Sequence, residues 1–148
     1  MRARDLAQSI QPVQPDEPLA TALLHMVASR LPGIVVDTPR SLMVIPASQL
    51  LRAVLPQYVQ DDPSLARVWD EQSADRVAAA LADRHVADLV RAVLAEDAVS
   101  TAVVDGDATL VEIATIMAEA RVPMVAVVDQ GAFVGIITVN HALEHLLG

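Results

Sequence analysis

The 148 residues include no cysteine. That absence excludes structural disulfides, thiolate zinc sites, iron–sulfur clusters and cysteine nucleophiles. There is no lysine either, so all 10 basic residues are arginine, set against 19 acidic ones for a net charge of −9. Aromatic residues are down to Tyr58, Trp69 and Phe133. A nucleic-acid surface needs a basic footprint and stacking rings, so no nucleic-acid partner is expected. The 5 glycines are scattered, and neither a P-loop nor a G-x-G-x-x-G occurs. The longest apolar run, Val122–Val128, falls far short of the ~18–20 residues that span a bilayer. The N-terminal MRARDLAQSI has charge but no apolar signal segment. The expectation is a soluble cytoplasmic protein with no membrane partner. Hydrophobic residues are plentiful at 53%, against about 45–50% on average. The chain is long enough to bury a core without a covalent staple.

The chain contains an internal repeat. An offset of 91 aligns Val13 with Val104, Asp16 with Asp107, Leu19 with Leu110, Met26 with Met117, Arg30 with Arg121 and Pro32 with Pro123. After the next strand the offset becomes 92, so Asp37 meets Asp129, Ile45 meets Ile137 and Leu51 meets Leu143. Each copy reads β-α-β-β-α. In the second copy a short apolar strand around Ala102–Val104 comes first. Leu110, Ile113, Ala114 and Met117 then recur at helical spacing. Thr109 and Glu112 form a capping-box pattern at its start; in the first copy Pro18 takes that position, which suits a first turn. Two apolar strands, Met124–Val128 and Phe133–Ile137, flank the turn signal Asp129-Gln130-Gly131. Their lack of alternation predicts cover on both faces. A last helix runs from about Val139 to Leu147, with Thr138 as N-cap. Two such copies, packed sheet to sheet, bury what one copy cannot.

The copies occupy residues 1–56 and 86–148, with a helical insert at 57–85. Asp62-Pro63 opens one short helix through Asp70, and Ser73 caps a second over Ala74–Asp83. The insert reads as an amphipathic cover, or as a partner-docking or dimer-building element anchored by Trp69 and Tyr58.

A duplicated βαββα unit ending in an apolar strand, Gly-Ile-Ile-Thr and a helix, as in VPMVAVVDQGAFVGIITVNHALEHLLG, resembles a tandem pair of CBS domains, a Bateman module. The resemblance covers nearly the whole chain apart from the insert. It implies an α/β fold with pseudo-two-fold symmetry, a regulatory rather than catalytic role, and a homodimer. It also implies an adenosine-containing ligand, such as an adenine nucleotide or S-adenosylmethionine, in a cleft between the repeats.

The family's phosphate and ribose motif runs Gly-x-x-Thr/Ser-x-x-Asp. Backbone N–H groups and a hydroxyl at a helix N-terminus meet phosphate, and a carboxylate accepts from the ribose hydroxyls. In the second copy Gly135 and Thr138 match, and His141 stands at the Asp position. In the first copy Met43, Pro46 and Gln49 take the three places. Pro46 has neither hydroxyl nor N–H. The resemblance therefore places the better cleft in the second copy, on Thr138, the N–H groups of Val139 and Asn140, and His141, with Gly135 and Gln49 at the remaining motif positions. Arg84 or Arg91 are candidates to add charge there. The competing reading of Thr138 is a helix N-cap.

Other motifs explain less. His141-Ala142-Leu143-Glu144-His145 fits H-x-x-E-H, but a zinc peptidase also needs a third ligand and an open water position. A surface zinc site is a better reading of it than an enzyme. Asp105-Gly106-Asp107 lacks the spacing of a calcium loop. No nucleophile elbow frames a serine. Two functions stay open: a sensor of an adenosine-type molecule, or a ligand-free scaffold whose insert or last helices dock a protein partner.

Overall fold

The computed structural model describes residues 1–55, 62, 64, 75, 78–79, 81–95 and 102–148. Trp69, Tyr58 and most of the expected insert helices lie outside the described residues.

Eleven elements are described in chain order. The first copy holds α1 (Ala3–Leu6), α2 (Leu19–Ala28), β1 (Gly33–Asp37), β2 (Leu42–Pro46) and α3 (Ala47–Val54). The second holds α4 (Val86–Ala95), β3 (Val103–Asp105), α5 (Leu110–Ala120), β4 (Met124–Asp129), β5 (Ala132–Thr138) and α6 (Val139–Leu146). β1 and β2 pair antiparallel, with Val35 opposite Val44. β4 pairs antiparallel with β5 and parallel with β3. Gln130 and Gly131, both at positive φ, make the two-residue turn from Asp129 to Ala132, the geometry that suits strand twist.

The first copy departs from the expected pattern at its leading strand. Where the second copy forms β3, the first forms only a single parallel bridge, Val13 to Val36. Pro12 and Pro15 flank Val13. Neither has an N–H to extend the ladder.

The sheets are covered on both faces, as their apolar runs require. Met124, Val125, Ala126 and Val127 of β4 are fully buried, as are Ile136 and Ile137 of β5. Val35 and Val44 of the first copy join this same cluster, so the two sheets share one core. A second cluster sits under α2 and α3, with Leu19, Ala22, Ile34, Val36, Ile45 and Leu50.

The sequence reading missed a reciprocal exchange between the copies. α1 leads the first copy but packs Ala3 and Leu6 into the core of the second. α4 leads the second copy but packs Val86, Leu89 and Val93 into the core of the first. The hydrogen bonds match one for one. The N–H groups of Ala3 and Arg4 donate to the carbonyls of Ala108 and Gly106, at 2.9 and 3.0 Å; those of Val86 and Ala87 donate to Glu17 and Pro15, at 2.9 and 2.8 Å. Asp5 accepts from the Arg2 N–H as Asp88 accepts from that of His85. After α1 the chain runs on to bridge Gln8 to Ile136. Gly135 permits this contact, because a Cβ there would lie 2.3 Å from the Gln8 carbonyl oxygen.

Candidate functional site

α6 follows β5 directly, and its first turn faces residues of the first copy. α6 starts on Thr138, whose hydroxyl oxygen accepts from the His141 N–H at 3.2 Å. The capping role expected of this threonine is therefore real. Beside it lies a cleft of about 240 Å³ lined by Thr138, Val139, Asn140 and Pro123 of the second copy and by Arg30, Leu31 and Pro32 of the first.

The donors in this cleft differ from those expected. The Val139 N–H donates to the Pro123 carbonyl at 2.9 Å and is spent. The corresponding Ala47 N–H is spent in the same way on Pro32. The N–H of Asn140 meets no acceptor among the described residues. The Thr138 hydroxyl keeps its own proton to donate. Thr138, Asn140 and the surface of Val139 thus lie side by side in the cleft.

Three other candidates do not join them. Gly135 is buried in β5, where it makes room for Gln8. Gln49 is half-buried on α3 and lines none of the cavities described here. His141 lies one step beyond the cleft lining and stacks on His145.

The cation in the cleft is Arg30, which the sequence reading did not single out. Arg91 instead pairs with Asp88 on its own helix, and neither Arg91 nor Arg84 lines the cleft. Arg30 is exposed, and its guanidinium pairs with nothing among the described residues. It sits in the left-handed region at φ 54°, as does its repeat partner Arg121. A non-glycine residue there carries about 1–2 kcal/mol of backbone cost. The signal was present in the sequence: an arginine at the same repeat position, two residues before Pro32 and before Pro123.

A different arginine ties α1 to the second copy. Arg4 of α1 hydrogen-bonds Asp129 at 3.1 Å through Nε and also bonds Asp107. These bonds, that to Asp129 foremost, push its pKa up, so it stays charged. In the first copy the acids recur as Asp16 and Asp37, but the arginine's place is taken by Ala87.

A third feature is apolar. A cavity of about 200 Å³ between α5 and α6 is lined by Ala114, Met117, Ala118, Val139, Ala142, Leu143 and Leu146. Around it Val111, Leu143, Leu146 and Leu147 are exposed; on the first copy so are Leu24, Val27, Leu51 and Leu55. Among the described residues no helix is long and apolar enough to cross a membrane.

Residues 86–148 match the family model described as CBS domain. Of the solved structures, a CBS-domain-containing protein of unknown function from Kribbella flavida is 38% identical, with a TM-score of 0.78, covering 100% of this chain and 99% of its own. CBSX2 in complex with AMP is 19% identical, with a TM-score of 0.63 and coverage of 99% and 96%. A hexameric CBS-CP12 protein from bloom-forming cyanobacteria is 16% identical, with a TM-score of 0.61 and coverage of 97% and 69%. No curated protein matches the chain. At these lower identities the likeness is one of fold.

Proposed function

The chain belongs to the CBS-domain family, and on that premise we propose that it is a regulatory module of the cytoplasm that senses an adenosine-containing small molecule. The observation that carries this reading is the cleft where Arg30 of one copy faces Thr138 and Asn140 of the other. A guanidinium, a hydroxyl and a free N–H at a helix start form the donor set an anionic phosphate needs. The local cation answers the objection that a net charge of −9 repels an anion. The AMP complex of CBSX2, of the same fold, supports the ligand class. Because the cleft takes residues from both copies, a ligand in it favours one arrangement of the copies over others, the condition for a ligand to shift a conformational equilibrium.

A homodimer is part of the proposal. Each copy exposes apolar side chains on the helices that flank its sheet, Leu24, Val27 and Leu51 on the first and Val111, Leu143 and Leu146 on the second, with Leu51 and Leu143 at equivalent repeat positions. Such a repeated face suits a second copy of the same chain. Leu143→Glu is expected to halve the mass measured by sedimentation; an unchanged mass places any interface elsewhere.

The departures at Pro46, Gln49 and His141 favour a second reading, a scaffold whose clefts stay empty. Thermal unfolding with AMP, ADP, ATP and S-adenosylmethionine, with and without magnesium, separates the two. A ligand at ~100 times its dissociation constant adds about 2.7 kcal/mol. The rise in melting temperature is expected with one of the four and lost in Arg30→Gly. That variant relieves the left-handed backbone as it removes the charge, so its own stability stays within about 1 kcal/mol of the parent. No rise at millimolar ligand decides for the scaffold.

A further inference from the structure

We infer that two copies of the chain join antiparallel, the α2–α3 face of each lying on the α5–α6 face of the other. This rests on the homodimer proposed above and fixes which faces meet. The repeat supplies the argument. At equivalent positions the first copy has Leu23, Val27 and Leu50 where the second has Ala114, Ala118 and Ala142. The three alanines line the cavity of about 200 Å³ between α5 and α6. The first copy presents the opposite relief. Leu24 and Val27, one turn apart on α2, are 71% and 67% exposed. Pairing like with like would set hollow against hollow and bulk against bulk. A void forfeits the contacts of the atoms that line it, whereas the core of a stable interface is packed like a protein interior. Pairing unlike faces supplies side chains to fill the hollow.

Charge points the same way. α2 and α3 carry Arg52 and no acid. α5 and α6 carry Glu112, Glu119 and Glu144 and no arginine. All four side chains are exposed, and Arg52 and Glu144 hold equivalent repeat positions. A parallel dimer would bring acid to acid and arginine to arginine, and such like-charge pairing costs affinity. The antiparallel dimer brings each arginine to an acidic face. A two-fold axis makes its two junctions identical, so the assembly closes at two chains.

The absence of cysteine gives a clean test. Val27→Cys and Ala118→Cys alter exposed, repeat-equivalent positions. The two full-length variants are co-expressed and treated with a short flexible bismaleimide, and the products are weighed by mass spectrometry. Cross-linked pairs are expected to hold one chain of each kind. Each variant expressed alone is expected to sediment as a dimer and not to cross-link. Self-linked pairs of each variant would overturn the antiparallel order and leave the homodimer standing, as would a dimer that links in neither way. A single-chain mass for the unaltered protein would remove the homodimer and this inference with it. A mass above two chains would mean that the unlike faces pair without closing, which overturns the two-fold arrangement.

Discussion

In the second copy both helices that flank the sheet start on a threonine, Thr109 and Thr138, whose side chains cap them. In the first copy the corresponding helices start on Pro18 and Pro46, which give no side-chain cap. The second copy has a three-stranded sheet, the first a two-stranded sheet and one bridge. The second has Arg4 across Asp107 and Asp129, whereas the first has Ala87 in that place. The family model matches residues 86–148, the second copy. The two copies share one plan, and where the second caps these helices with threonine the first has proline. Proline fixes a φ and narrows the unfolded ensemble, but it satisfies no orphan N–H. The architecture of the first copy therefore rests more on apolar burial and on the borrowed helix α4.

Several substitutions break or sharpen this contrast. The largest effect is expected from Ile113→Ala. Ile113 is fully buried, and its counterpart in the first copy is already Ala22. Loss of about 2–5 kcal/mol in denaturant unfolding is expected; a loss under 1 would mean the second copy is no better packed than the first. Next comes Thr109→Ala, which removes the capping-box hydroxyl and is expected to cost about 1 kcal/mol. A smaller, salt-sensitive drop in melting temperature is expected from Arg4→Ala, since the pair with Asp107 is exposed. Ala87→Arg is expected to do the reverse by bringing a cation to Asp16 and Asp37. If Ala87→Arg lowers the melting temperature, the two copies are not equivalent at this point.

The smallest effect is one of pH. The Asp88 carboxyl is held below its ordinary 3.8 by the His85 N–H and then by Arg91. A lowered folded value means stability that is present above the unfolded value of 3.8 and lost as pH falls through the folded one. Asp88→Asn is expected to lower stability slightly at neutral pH, where the carboxylate contributes in full, and to flatten the acid limb, so that the two proteins converge as pH falls.

The repeat, the Thr109 and Thr138 caps and the turn at Gln130-Gly131 were legible in the sequence because each depends on neighbours in the chain. The exchange of α1 and α4 was not. Its only trace is the likeness of Arg2-Ala3-Arg4-Asp5-Leu6 to His85-Val86-Ala87-Asp88-Leu89, five residues too weakly alike to stand out. Part of the cleft was hidden for the same reason. The Val139 N–H is spent on Pro123, a contact set by how the strand edge meets the helix. Arg30 enters the cleft from the other copy, which no local pattern announces.

The crossing of α1 and α4 has a further consequence. Each half of the chain carries the plug for the other's core, so the protein has the plan of a segment-swapped dimer whose two subunits have been joined end to end. Neither half is then self-sufficient. Residues 86–148 made alone would expose the floor on which Ala3 and Leu6 rest, and residues 1–56 would lack Val86 and Leu89. The two fragments are complementary parts, expected to stay unfolded apart and to rebuild the fold when mixed. Joining them in one chain turns what would be an association between molecules, dependent on concentration, into a first-order step.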